Sequence, residues 1–204
     1  MALGTYSGLS TAITSWMEGR ADIAAQFDDF LLLAEADINR YLRVREMETS
    51  TSLTPSATGA ATLPSGYLEW RAVIWTGTPR RELQLIDPMQ AEHLYGYRES
   101  DTPRHFTLSA STIQVLPVST TAISLLYYTA VPALTSVATT NWLLTKAPGV
   151  YVAGICRHAS LWLRMEQDVM LYEAQFMGEI ERLMADDKGQ RYARGASIGQ
   201  GQRP

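Results

Sequence analysis

Cys156 and His158 are the residues of this chain whose types could most readily do chemistry, a thiol and an imidazole that elsewhere make a nucleophile and its base. They stand two apart in a segment expected to be helical, so they point to different sides and cannot work as a pair. The thiol therefore reads as a buried structural cysteine in an apolar helix. His93 and His105 flank a loop carrying Glu99 and Asp101, and one further ligand would complete a metal site. Their spacing follows no established pattern, and they read as surface histidines beside a turn. Asp28, Asp29, Glu35 and Asp37 share one expected helix, where nothing nearby in sequence would raise a carboxyl pKa, so a solvated acidic face is expected. The chain also lacks a Walker loop, a Rossmann glycine fingerprint, HExxH, GxSxG and a CxxC pair. No catalytic, cofactor-binding or metal-ligating residue is assigned, and the expectation is a protein that is not an enzyme and needs no cofactor.

The elements that would position these residues fall into an α+β pattern, a helical bundle with an inserted small antiparallel β domain. Leu9, Ile13 and Trp16 predict a short helix over residues 5–17, with Gly19 as its breaker. Ile23, Phe27, Leu31, Ala34, Ile38 and Leu42 step by three and four, which predicts one long helix over 21–45. Residues 48–59 turn rich in Ser and Thr, and "LPSG" at 63–66 is turn chemistry. "YLEWRAVIW" alternates as a strand and "TGTP" turns it toward "RELQLI". Asp87 and Pro88 open a short helix that stops at Gly96. "HFTLS", "TIQVLP" and "TAISLLYYT" then predict a three-stranded meander.

Helix returns at Asn141. The segment 150–165 is apolar nearly all round, beyond what two amphipathic partners would cover, and so asks for an additional neighbour. Val169, Tyr172, Phe176, Ile180 and Leu183 form the stripe of a last helix over 168–185. "KGQRYARGASIGQGQRP" carries four glycines and four positive charges with no acidic residue, and reads as a flexible basic tail. The expected organisation is a helical bundle from 1–45 and 141–188, a β-rich insert over 46–130, a connecting loop at 131–140 and the tail at 189–204.

Composition narrows the partners. The 204 residues can bury a core without metals or disulfides, and the single cysteine fits a reducing compartment. No apolar run reaches the roughly 18 residues of a membrane span, and the N-terminus lacks a basic signal start, so no membrane is expected as a partner. Acidic residues outnumber basic ones 21 to 17, for a net charge of −4, which argues against a nucleic-acid-binding protein. Trp70, Trp75, Tyr95, Tyr97, Tyr127, Tyr128, Trp142 and Trp162 are expected mostly in the core, although Trp and Tyr are also favoured at interfaces.

The order of these features carries a resemblance. "FLLLAEADINRYLRVREME", "LPSGYLEWRAV", "HFTLSASTIQVLP", "LLYYTAVPALT", "NWLLTKAPGVYVAGICRHASLWL" and "EQDVMLYEAQFMGEIERL" together are similar to the head-to-tail adaptor proteins of tailed bacteriophages, over nearly the whole chain to about Ala185. The resemblance implies a structural virion protein in the neck between capsid and tail, assembled in the host cytoplasm. It implies a homo-oligomeric ring of about twelve copies beneath a portal protein, a cyclic heterologous assembly. Downstream neck or tail proteins would attach to it, and genomic DNA would pass through without sequence-specific binding. On that reading Arg191, Tyr192, Arg194 and Arg203 of the tail are candidates for portal binding, and Tyr151, Ile155 and Trp162 for the contact between copies. A stopper or tail-tube component of the neck is the near alternative, and a small hydrolase using His93 or His105 a remote one.

Overall fold

The computed structural model describes residues 3–96 and 101–192. The fold is α+β, and the chain divides into two compact units, one made of residues up to Glu46 and from Val131 on, the other of Met47–Ala130.

The first unit is helical. It contains α1 (Tyr6–Trp16), α2 (Ala21–Ala25) and α3 (Phe27–Tyr41) before the β-rich unit, and α5 (Trp142–Lys146), α6 (Pro148–Trp162) and α7 (Glu166–Tyr192) after it. Thr5 caps α1, its hydroxyl accepting from the Gly8 N–H at 3.1 Å. The single helix expected over 21–45 is instead two. The chain breaks at Gln26, whose N–H is shared between the Asp22 and Ile23 carbonyls at 3.2 Å each, and it leaves helical geometry again at Leu42. The apolar stripe survives the break because Ile23, Phe27, Phe30, Leu31, Ala34 and Ile38 all remain buried.

Arg164 has a φ of 59°, a left-handed residue that ends α6 and starts α7. The two helices are therefore separate through residues 163–165, and α7 opens two residues earlier than its stripe predicts. At its other end α7 runs past Ala185 to Tyr192, so residues 189–192, expected in a flexible tail, are helical. The cause is an ionic clamp. Asp187, 5% exposed, accepts from Arg191 Nε at 2.6 Å one turn on and from Arg45 Nε at 2.8 Å.

The loop after Ala130 packs into this unit. Val131 and Leu134 are buried, the Val131 N–H donates to Asn39 Oδ1 at 2.9 Å, and the Tyr6 N–H donates to the Thr139 carbonyl at 2.7 Å. α6 crosses α3 where Gly154 faces Ala34. A Cβ on Gly154 would lie 3.1 Å from the Ala34 Cβ and 3.3 Å from the Phe176 ring, so glycine sets how closely α3, α6 and α7 approach.

The second unit holds two four-stranded sheets. One has the order β1-β8-β3-β4 and the other β2-β7-β6-β5, where β1 is Glu48–Leu53, β2 Ala60–Thr62, β3 Tyr67–Trp75, β4 Arg81–Glu82, β5 Gln84–Leu85, β6 His105–Ser109, β7 Thr112–Leu116 and β8 Ile123–Thr129. α4 (Pro88–Tyr95) lies between β5 and β6 in sequence, with Asp87 accepting from the Met89 N–H at 2.8 Å. The Ser- and Thr-rich stretch, for which the sequence predicts no particular strand, contains β1, paired with β8 along its length from Glu48↔Tyr128 to Leu53↔Ile123. The expected meander is also redrawn. β6 and β7 pair antiparallel, but β8 leaves them to join β1 and β3 in the other sheet. Between the sheets lies a core of Val73, Trp75, Leu83, Phe106, Ile113, Val115, Ile123, Leu125 and Tyr127. Register shifts in β3 between Tyr67 and Glu69 and between Trp70 and Ala72 let Trp70 pack edge-on to Phe106 (5.2 Å) although Val73 and Trp75, at odd spacing from it, are buried in the same core.

Candidate assembly surfaces of the helical unit

The residues with chemical potential are absorbed into structure. Cys156 is fully buried, and burial pushes its thiol up to about 12, with a hydrogen bond to Tyr172 acting the other way. His158 turns instead toward Asp37, its Nε2 lying 2.9 Å from Oδ2. Arg157 joins the same cluster, bonding Asp37 through Nη2 and Glu173 Oε2 through Nη1 at 2.6 Å. Side chains from α3, α6 and α7 thus meet in one ionic cluster in which Asp37, Arg157 and His158 are each no more than 15% exposed. In the other unit His93 is exposed, and His105 Nδ1 lies 2.7 Å from the Tyr95 hydroxyl. Glu99 lies outside the described residues. Among the described residues no group of three His, Cys, Asp or Glu side chains is placed to hold a metal, and no helix is long and apolar enough to cross a membrane.

The acidic face of α3 is only partly solvated. Glu35 is 8% exposed and accepts from the Leu134 N–H at 2.8 Å. Burial pushes its carboxyl above the usual range, while the hydrogen bonds from Leu134 and Tyr151 pull it back in part. Tyr151 is bonded in turn by Asn141 Nδ2 at 2.7 Å, and Asn141 Oδ1 accepts from the Leu144 N–H at 2.8 Å as the cap of α5. This chain of bonds fastens the loop over 131–141 to the helices.

The same geometry relocates two of the three residues expected at the contact between copies. Tyr151 and Ile155 are fully buried by their own chain, because the Gly154 contact draws α3 and α7 close enough to cover α6. Trp162 differs. It is 50% exposed, stacks edge-on to Phe30 at 6.2 Å, and stands beside the exposed Leu161 near Met165 at the end of α6. Of the tail candidates, Arg191 is held by Asp187, Tyr192 is the last described residue and belongs to α7, and Arg194 and Arg203 lie outside the described residues.

A second apolar surface lies between α1, α6 and α7. It is a groove of about 570 Å³ whose lining includes Gly149, Ala153, Ala174 and Gly178, with Trp16 and Leu171 each 53% exposed and the polar Gln175, Glu179 and Arg182 also on it. Gly178 faces open space there, with no atom within 4 Å of an added Cβ. Sequence reasoning missed this groove. The available signal was the small residues at 174 and 178, one turn apart on α7 and away from its buried stripe.

The clamp at Asp187 gives a pH-dependent prediction. Burial raises its carboxyl, but the bonds from Arg191 and Arg45 more than reverse this and hold it below the usual 3.8. A depressed carboxyl stabilises the fold above its unfolded pKa and loses that contribution as pH falls through the folded value. Asp187→Asn is thus expected to cost about 1–3 kcal/mol at neutral pH, read by thermal melting, with the deficit shrinking only in strong acid. An unchanged melt at pH 7 would remove the clamp as the reason α7 continues.

No curated protein matches the chain. A family model does, across residues 4–200 and so through both units, and on that match the chain belongs to the SU10 adaptor protein family, a family of phage adaptor proteins.

Proposed function

We propose that this protein is a head-to-tail adaptor whose copies close into a ring of about twelve beneath the portal, giving the genome a passage and later neck or tail proteins a place to attach. The observation that carries the reading is the family match from residue 4 to 200. The helical unit supports it with two unlike apolar surfaces, the Trp16–Leu171 groove and the Leu161–Trp162–Met165 patch. Unlike surfaces are what a head-to-tail contact between copies uses. The net charge of −4 suits a passage, since a basic lumen would hold phosphates. Portal docking falls to the end of the chain, with Arg194 and Arg203 as the cations assigned to it and Tyr192 at the start of that segment, because Arg191 already serves the clamp.

The test is co-sedimentation with the cognate portal ring, comparing the full chain with one ending at Tyr192, which keeps α7 and its clamp intact. Binding by the full chain alone makes residues 193–204 the anchor. Binding by both keeps the adaptor and removes the tail's role, and binding by neither removes portal docking. The groove has its own test in Gly178→Leu. The leucine fills open space and replaces a helical glycine, so the monomer should gain about 0.5–1 kcal/mol. Ring assembly in sedimentation velocity should nevertheless fall at least about tenfold, the effect of losing one buried contact. Unimpaired assembly would rule the groove out as the contact between copies.

A further inference from the structure

The β-rich unit contains a cavity of about 350 Å³ lined by Arg81, Glu82, Gln84, Arg104 and His105. The backbone fixes this set. Leu83 is buried between β4 and β5, its N–H donating to the Val73 carbonyl at 2.8 Å, and so holds Arg81 and Glu82 in one sheet while Gln84 opens the edge strand of the other. The Gln84 N–H donates to the Arg104 carbonyl at 3.0 Å, and Gln84 pairs with His105 across the parallel β5–β6 ladder. Five polar side chains from three strands and a connecting residue are thereby gathered at one place.

Two features of the cavity are unbalanced. Arg81 Nε is buried with no hydrogen-bond partner, a donor that normally finds one. Among the described residues, Arg81 and Arg104 are also in none of the ion pairs that engage Arg20, Arg45, Arg71, Arg157, Arg182 and Arg191. The Tyr95 hydroxyl lies 2.7 Å from His105 Nδ1, which fixes the imidazole on the cavity's lining.

We propose that this cavity receives a carboxylate from an acidic segment of a protein partner. Two guanidinium forks suit a planar carboxylate, bound through paired N–H···O bonds. Glu82 on the lining subtracts one charge, which favours a singly charged group over a phosphate, and the chain's net charge of −4 disfavours duplex DNA. The inference rests on the β-rich unit alone and is independent of the ring and of portal docking.

The experiment is fluorescence anisotropy of labelled hexaglutamate peptide with the full chain at low salt, alongside a labelled duplex of about 20 base pairs as the phosphate probe. Peptide binding is expected to weaken with added salt and to fall at least about tenfold in Arg81→Gln/Arg104→Gln, the loss of two charge-assisted contacts. Arg81→Lys, which keeps the charge but loses the fork, should fall between. Arg80→Gln, at an exposed neighbour outside the cavity, should bind as the wild type. Circular dichroism melts confirm that each variant is folded, and Arg81→Lys keeps the test decisive if the double variant is not. Absence of peptide binding by the wild type, or an equal loss in Arg80→Gln, overturns the proposal. So does a duplex that binds and is lost in the double variant while the peptide is unaffected, since the cavity would then read phosphate.

Discussion

Replacing Arg157 with methionine is expected to destabilise the helical unit by about 1.5–3 kcal/mol at neutral pH, because it takes from the part-buried Asp37 its closest cation and from Glu173 its partner. Arg157 holds Asp37 of α3 and Glu173 of α7 from α6, and its guanidinium carbon lies 5.4 Å over the Phe176 ring. Methionine can replace the stem's packing but neither ion pair. The pH dependence separates this account from lost packing. Burial holds His158 below its usual 6.5, with the Asp37 hydrogen bond pulling up and the Arg157 charge pushing down. A histidine depressed in the fold takes its proton more readily when unfolded, so the wild type loses stability as pH falls below about 6.5. Without Arg157 the same ring faces an Asp37 whose remaining cation is the exposed Arg40 at 3.9 Å, so the ring's pKa rises and acidification supplies part of the missing positive charge. The difference in melting temperature between variant and wild type should therefore narrow from about pH 8 to about pH 5.5. A constant difference would mean that Arg157 acts by packing alone.

That cluster shows where the sequence was legible. The stripe on α3 and the stripe Phe176, Ile180, Leu183 on α7 could be read from spacing, since burial of one helix face imposes a period that any chain must show. The distant partners of Asp37, Arg157 and His158, could not, being 120 and 121 residues away on another helix. The apolar segment over 150–165 reads as needing cover, and from Val150 to Cys156 and at Ala159 that cover is intramolecular, while Leu161, Trp162 and Met165 stay exposed. Gly154 is the reason, since its missing Cβ lets Ala34 and Phe176 close over α6. Spacing alone does not reveal how near two helices come.

In the β-rich unit the strands with apolar alternation were legible, and β1 was not. Its "ETSTSL" holds only one aliphatic residue, and it is a strand because Ile123, Leu125 and Tyr127 of β8 bring a buried face to pair with. Membership of β8 in the other sheet was equally hidden, because a turn at residues 117–122 serves a hairpin and a crossing between sheets alike. The Arg81–Arg104 cavity depends on that topology, joining residues from two sheets whose sequence spacing carries no pattern. The tail boundary failed for a local reason. Lys188, Gly189 and Gln190 look like an ending, but Asp187 reaches Arg191 one turn on and Arg45 from far away.

Truncating Phe176 to alanine is expected to cost the helical unit about 3–5 kcal/mol, the usual penalty for removing a fully buried aromatic ring. For a chain of this size that corresponds to a fall in melting temperature of about 10 °C. The more discriminating result comes from pairing it with Gly154→Ala. Alone, that alanine places a Cβ 3.1 Å from Ala34 and 3.3 Å from the Phe176 ring, an overpacked contact expected to cost about 1–3 kcal/mol despite alanine's better helix propensity. With the ring gone, the methyl group has room on that side and occupies part of the vacated space. Gly154→Ala should then cost less in the Phe176→Ala background, the Ala34 contact at 3.1 Å remaining, a coupling of about 0.5–2 kcal/mol between the two positions. Chemical denaturation of the four proteins of the cycle measures it directly. Additive costs would show that α6 and α7 are not held at the distance Gly154 sets, and that the cover of α6 has another origin.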